Sequence, residues 1–380
     1  MKKKSGKLFE QVREQVIRII LDQGLKPHDP IPSEGELGTR YGVSRMTSKL
    51  ALQALQDEGV VYRLPRRGTF LADIDREELR QMLDDPSTSY ASSERNDSIQ
   101  IALIVPGIDD YIGKMLISIE KAAAEEGMSV VIKVVQHEQE EAAAVQWFSE
   151  RKEISGILLF PVDRTICRDH LLRLKLQKYP VVILDRLFEE IHFDSVSHDH
   201  YKGAYDMTSY LLQLGHREIG FISGPLLEVK SRKERYQGYL DALLEGKVDV
   251  QHEVILIRDE PWDQKEGHQE RVQWIKSFLE GSRRLTAVLC ADDYLAVSAM
   301  HAALQLHKRI PQDLSISGFA DHNILEYAPV PMTTVAQPMD NFGKEAVRLL
   351  VNRLIQPESK SVTVRLPTIL VIRDSVHERH

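Results

Sequence analysis

PSEGELGTRYGVSRMTSKLALQALQDEGVV, Pro32–Val61, decides the reading of the first part of the chain. Ser33 followed three residues later by Glu36 is a capping box, so a helix starts here. The helix is short, because Gly42 stands where a tight turn needs positive φ. Ser44 caps the next helix, whose apolar positions Leu50, Ala51, Ala54 and Leu55 run to Gly59 at the C-terminal cap. Upstream, Leu8, Val12, Val16, Ile19 and Ile20 recur at helical spacing, which predicts an amphipathic first helix ending near Gly24. Pro27, Pro30 and Pro32 break the chain between the two. Downstream, Val60–Tyr62 and Thr69–Leu71 read as short strands around Leu64-Pro-Arg-Arg-Gly68. Three helices and a two-stranded wing make a winged helix-turn-helix.

The start of the third helix exposes Ser44, Arg45, Thr47, Ser48 and Lys49, the end of a recognition helix that reaches bases and phosphates in the major groove. Arg66 and Arg67 sit at the wing tip beside Gly68, placed for phosphate or minor-groove contact. Charge agrees. Residues 1–72 hold 13 Lys and Arg against 8 Asp and Glu, a balance of +5, whereas the whole chain of 380 residues carries −8. A basic head on an acidic body points to a polyanion for the head and another task for the body.

Between Phe70 and Ile99 the apolar pattern fades. Arg76–Leu83 can form a short helix, and Ser-rich Asp85–Ser98 reads as linker. Domain boundaries are therefore expected at 1–72 for the head, 73–98 for the linker and 99–380 for the body. In the body, β-branched runs alternate with helical segments: Ile101–Val105, Val130–Val135, Gly156–Phe160, Val181–Leu184, Ile219–Ser223, Val254–Ile257, Ala287–Cys290 and Leu314–Phe319. This alternation predicts parallel sheets with helices on both faces, and eight strands predict two lobes. Such α/β folds bind ligands outside the carboxyl ends of their strands. The residues at those ends are polar: Asp109, Asp110 and Tyr111, then Asp185 and Arg186, Trp262, Asp292 and Asp293, and Asp321 and His322. Arg235 lies on the helix after the fifth strand. Carboxylates, a guanidinium and an aromatic face around one cleft suit a polyhydroxylated ligand. The plainer alternative is that strand-end Asp residues cap the helices that follow.

The first stretch, with the wing Arg66-Arg67-Gly68-Thr69, resembles the GntR-type DNA-binding head over about 65 residues. The resemblance implies DNA contacts by Ser44, Arg45, Thr47 and Lys49; Ser33 and Glu34 at the start of the second helix, and Arg66, Arg67 and Gly68 on the wing, are further DNA-binding candidates. This chain has Gly35 where the family usually has Arg, and Lys49 where Arg is usual, so a bidentate fork to guanine is lost there. The body resembles the LacI/GalR effector domain, with the fold of periplasmic sugar-binding proteins. Leu214–Pro225, Arg235-x-x-Gly238-Tyr239, Cys290–Met300, Ile310–Phe319, Pro331–Met339 and Leu370–Ser375 carry that resemblance in order. It implies effector contacts by Asp110, Tyr111, Asp185, Arg235, Trp262, Asp293 and Asp321. Asp199-His200-Tyr201-Lys202-Gly203 departs from the family's Asp-Asn, and Gly318-Phe319-Ala320-Asp321 from its Gly-Phe-Asp-Asp.

A GntR-type head on a LacI-type body is the combination of the arabinose-responsive repressors of Bacillus-type bacteria, and the Asp-Asp-Tyr-Ile run is similar to theirs. The resemblance implies operator DNA as partner, a sugar effector with L-arabinose as the candidate, and a homodimer whose lobe closure resets the spacing of two heads. No membrane partner, cofactor or metal is expected. His192, His198 and His200 have no Cys or acidic ligand at helical spacing beside them. Cys167 and Cys290 are far apart, and the start has no apolar signal region, which fits a reducing cytoplasm. An enzyme is disfavoured by the lack of GxxxxGK[ST], G-x-S-x-G and GxGxxG after the first strand. A transporter's free-standing sugar-binding protein does not account for the basic head, and charged cleft candidates argue against an apolar effector.

Overall fold

The computed structural model describes residues 8–64, 68–84, 99–162, 167–188, 191–226, 229–249, 254–258 and 267–379. They fall into two compact units, one containing the head and the other nearly all that follows Ser98.

In the head, α1 (Leu8–Asp22), β1 (Pro30–Ile31), α2 (Glu34–Tyr41), α3 (Arg45–Asp57), β2 (Val61–Leu64), β3 (Gly68–Leu71) and α4 (Arg76–Asp84) follow in order. The capping box is present: Ser33 Oγ accepts from Glu36 N, and the Glu36 carboxylate accepts from Ser33 N at 2.8 Å. Gly42 ends α2 at φ 64° and Gly59 follows α3 at φ 76°, the left-handed conformations that favour glycine. The wing has a third strand that the proline-rich connection concealed. β1 pairs antiparallel with β3, giving the order β1-β3-β2. Val16, Ile17, Ile20, Leu37, Leu52 and Leu55 fill the core, and Leu79 of α4 is buried with them.

The body comprises two lobes. The first has β4 (Ile99–Val105), α5 (Asp110–Glu125), β5 (Met128–Val134), α6 (Glu138–Ser149), β6 (Ile154–Leu159), α7 (Asp169–Leu176), β7 (Val181–Leu184) and β8 (Asp194–His198). The second has α8 (His200–Gln213), β9 (Ile219–Ser223), α9 (Lys230–Glu245), β10 (Ile255–Ile257), α10 (Gly267–Gly281), β11 (Ala287–Cys290), α11 (Asp293–Gln305), β12 (Ser315–Ser317) and β13 (Thr334–Ala336). The chain then returns to the first lobe with α12 (Asp340–Ile355) and β14 (Thr363–Leu366), and to the second with β15 (Ile369–Val371). The first sheet has the order β14-β8-β7-β6-β4-β5, with β14–β8, β8–β7, β7–β6 and β6–β4 parallel. The second is β10-β9-β11-β12, all parallel, beside an antiparallel β13–β15 pair.

All eight expected runs supply strands, and β8, β13, β14 and β15 are additional. The β8 sequence DSVSH is polar yet wholly buried. Its neighbours on either side satisfy the backbone, and Arg353 meets Asp194 at 2.7 Å. Lobe crossings lie at 198–200, 336–340 and 366–369, so the middle of the body is built from three passes of chain. Gly203 lies at this junction, where an added Cβ would be 2.7 Å from Thr368 Oγ1 and 2.9 Å from Val335 Cγ1. His216, in the Gly-His-Arg turn, is buried and bridges Thr286 Oγ1 and the His377 carbonyl, a structural tie.

Candidate functional site

On the head, Ser44 caps α3: its Oγ accepts from Thr47 N at 3.1 Å and lies 2.9 Å from Thr47 Oγ1. This uses the Thr47 hydroxyl within the cap, and Thr47 is only 8% exposed. Ser48 is fully buried, contrary to its expected exposure. It shares the inward face with Leu52 and Leu55 at i+4 and i+7. Arg45 remains well exposed, and its Nε lies 3.6 Å from Glu34. The other Glu34 oxygen is 3.4 Å from Arg63 Nη1. Glu34 thus orients two cations at the start of the recognition helix. Burial lowers the pKa of Lys49 despite the opposing pull of Glu34. Gly35 is open around its Cα, with nothing within 4 Å of an added Cβ. Ser33 is held by its capping box, and Gly68 opens β3 at φ 117°. Arg66 and Arg67 lie outside the described residues.

In the body, Tyr111, Asp185 and Arg235 converge where the lobes meet. Tyr111, one residue into α5, donates from its hydroxyl to Asp185 Oδ1 at 2.7 Å. Asp185 follows β7 with φ 57°, a left-handed turn that Asp tolerates better than most residues. Arg235 Nη1 donates to the Ala291 carbonyl at 2.5 Å, and Nη2 faces His200 Nδ1 at 3.1 Å and Gln337 Oε1 at 3.4 Å. Its Cζ sits 3.9 Å over the Phe319 ring. Arginine only donates, so Nδ1 of His200 is the accepting nitrogen and its proton lies on Nε2. That Nε2 is 3.5 Å from Asp185.

Charge is strongly tuned here. Burial would raise the pKa of Asp185, but His200, then Arg186 and Tyr111, outweigh it and hold the carboxyl well below its ordinary value. Burial, reinforced by Arg235, lowers His200 to about 4. Burial also lowers Arg235, to about 10, and it stays charged near neutrality. Burial and then Asp185 push the Tyr111 phenol well up. The array is a charged acceptor and a charged donor held apart by a neutral imidazole. Among the described residues, Arg235 Nε and Gln337 Nε2 are buried donors without a hydrogen-bond acceptor. Buried donors in that condition are uncommon in a folded protein, and a hydroxylated ligand is one group that accepts from them.

Of the remaining expected effector residues, Asp110, Asp293 and Asp321 are engaged with partners within the protein. Asp293 is fully buried, with Oδ1 accepting from Thr334 Oγ1 and Oδ2 from His322 N, both at 2.7 Å. Burial raises its pKa. Asp110 reaches across the lobes to His322 Nδ1 at 3.1 Å and Asn323 N at 2.9 Å, and pairs with Lys114. Asp321 pairs with Arg373 at 2.8 Å. Trp262 lies outside the described residues. The capping alternative holds for Asp109 and Asp292, which cap α5 and α11 by accepting from Ile112 N and Leu295 N. His200 and Gln337 escaped the sequence reading as site residues. The signal for His200 was its place in Asp199-His200-Tyr201-Lys202-Gly203, where the family pattern has Asn.

Comparison with known proteins agrees with this architecture. Residues 8–71 match the model of bacterial regulatory proteins of the gntR family, and residues 208–376 that of the periplasmic binding protein-like domain. The chain is similar to the ribose operon repressor of Haemophilus influenzae, 29% identical over 81% of this chain and 91% of that protein. It is also similar to the arabinose metabolism transcriptional repressor of Halalkalibacterium halodurans, 28% identical over 92% of this chain and 89% of that protein. Among solved structures, a transcriptional regulator CelR–cellobiose complex superposes with TM-score 0.64 and 24% identity, covering 90% of this chain and 99% of that one. These relatives are transcriptional repressors and regulators, not enzymes. No described helix is long and apolar enough to cross a membrane. The chain is thus a repressor-type transcriptional regulator that joins a GntR-family helix-turn-helix head to a periplasmic-binding-protein-like body of the LacI kind.

Proposed function

We propose that the protein represses transcription by binding operator DNA as a cytoplasmic homodimer, and that a small sugar held between its lobes, L-arabinose first among candidates, controls that binding. The head is assigned to 1–72, the linker to 73–98 and the sensing and dimerising body to 99–380. The observation that carries the reading is the buried array Tyr111–Asp185–His200–Arg235–Gln337, which offers an anionic acceptor beside unspent donors. Vicinal hydroxyls both donate and accept, so one sugar edge serves both sets. Arg235 and Asp185 are its main contacts, Tyr111 orients Asp185, and Trp262 supplies an aromatic face. Asp110, Asp293 and Asp321 shape the closed lobes around it. DNA is read by Arg45 and Lys49, with Ser33, Glu34, Ser44 and Thr47 setting the helix ends and Arg66, Arg67 and Gly68 on the wing. The names of the ribose and arabinose repressors support a pentose.

The test is thermal denaturation of the full chain with L-arabinose, D-ribose and other monosaccharides, free and phosphorylated. A ligand that binds only the folded state at 100-fold excess over Kd adds about 2.7 kcal/mol of stability. A shift with L-arabinose that disappears in Arg235→Ala supports the assignment. A shift with another sugar alone replaces arabinose, and no shift with any sugar refutes the sugar reading.

A further inference from the structure

Away from the lobe junction, α10 and α11 present two imidazoles to solvent. We propose that His268 and His301 form a chelate for a borderline divalent transition ion of the nickel, copper or zinc class, tying these two helices together. His268 Nε2 and His301 Nδ1 are 2.9 Å apart, with ring centroids 5.0 Å apart and planes at 83°. An ion about 2.0–2.1 Å from each nitrogen meets that spacing at close to a right angle, the cis angle of square or octahedral coordination. Without an ion the contact is a hydrogen bond from His301 Nδ1–H to the His268 Nε2 lone pair. On binding, the His301 proton moves to its Nε2, small ring rotations turn both lone pairs onto the ion, and a slight opening gives the tetrahedral angle of zinc.

The surroundings prepare His268 as a ligand. Ser298 Oγ donates to the Tyr294 carbonyl at 2.8 Å, so its lone pairs accept from Arg271 Nε and from His268 Nδ1, each at 3.3 Å. The His268 proton is therefore on Nδ1, and Nε2 carries the lone pair. Ligating histidines characteristically donate their second ring N–H to such an oxygen.

The groove around the pair is lined by Gln269, Gln273 and Gln305 rather than by carboxylates. It therefore selects nitrogen-preferring ions over calcium and magnesium. Among the described residues no three or more His, Cys, Asp and Glu side chains group to hold a metal, so water completes the coordination. Two protein donors, with the Arg271 charge nearby, set a reversible affinity, weaker than a four-ligand structural site. The ion clamps α11, which begins at Asp293, to α10, the helix that precedes it across β11.

The experiment uses the untagged full chain at neutral pH, titrated with Ni2+, Cu2+ and Zn2+ in competition with a chromophoric indicator. His268→Gln, His301→Gln and the double variant are compared with wild type, and His137→Gln serves as a surface control. One ion per chain, with at least tenfold weaker binding in each single variant and no change in the control, is expected. X-ray absorption of the loaded wild type should count two imidazoles, independently of how the variants fold. Binding that survives the double substitution, no stoichiometric binding of any of the three ions, or a spectrum with fewer than two imidazoles would overturn the assignment.

Discussion

Tyr111→Phe removes one of the donors that keep the buried Asp185 ionised. Losing a hydrogen bond to a buried charge costs about 1–3 kcal/mol, and urea denaturation should show a loss of that size together with weaker effector binding. His200 makes a prediction about pH. Its folded pKa of about 4 lies below the ordinary 6.5, so the unfolded chain takes up the proton first as pH falls. Its contribution is complete above pH 6.5 and is lost progressively toward about pH 4, by which point the loss amounts to about 3 kcal/mol at 1.36 kcal/mol per unit. Denaturation midpoints of His200→Gln should fall less steeply over that window than those of wild type; equal slopes would place the titration elsewhere. Asp185 was legible because it stands at a strand end in an α/β pattern, and Arg235 through the Arg-x-x-Gly-Tyr run on the helix after the fifth strand. His200 and Gln337 were not, since they come together only through separate passes of the chain between lobes. The burial of Thr47 and Ser48 was not legible, because their polarity masks the helical phase that turns Ser48 inward with Leu52 and Leu55.

Helix α9 lies directly against α8 at Gly238, where an added Cβ would come within 2.2 Å of the Tyr201 carbonyl and 2.9 Å of Tyr205 N. Backbone cannot yield as a flexible side chain does. Gly238→Ala should therefore separate the helices and cost about 1–3 kcal/mol or more, read as a lower urea midpoint at unchanged slope. At the head, Ser33→Ala removes a capping box from α2 and should cost about 1 kcal/mol, measured by melting. Periodicity and caps revealed helices α1 to α3 because those signals are local. The apolar strands were equally plain. Strand β8 was hidden because Asp194, Ser195, Ser197 and His198 are polar, and their burial depends on partners far along the chain such as Arg353 and Thr363. Strand β1 was hidden because Pro30 reads as a breaker, although at a sheet edge its missing N–H costs nothing in the ladder.

Across the molecule, the two activities should separate by mutation. Arg45→Ala should weaken operator binding by about 1–3 kcal/mol and leave effector binding intact, whereas Arg235→Ala should keep the operator and lose the effector response. Gel-shift and thermal-shift measurements on both variants check this, and loss of both functions in either would contradict the division. The two-domain order was legible in charge and composition; the threading of the lobes was not, because no sequence pattern states which sheet a late strand joins. That threading has a consequence for synthesis. Strand β14, Thr363–Leu366, completes a sheet that begins at Ile99. A ribosome that has released the head and every strand through β8 still holds an unfinished first lobe, with β8 as a bare edge. A message cut short before those codons therefore yields a chain whose open sheet edge invites proteolysis and stray strand pairing. Completion of the first lobe thus waits on translation past Leu366.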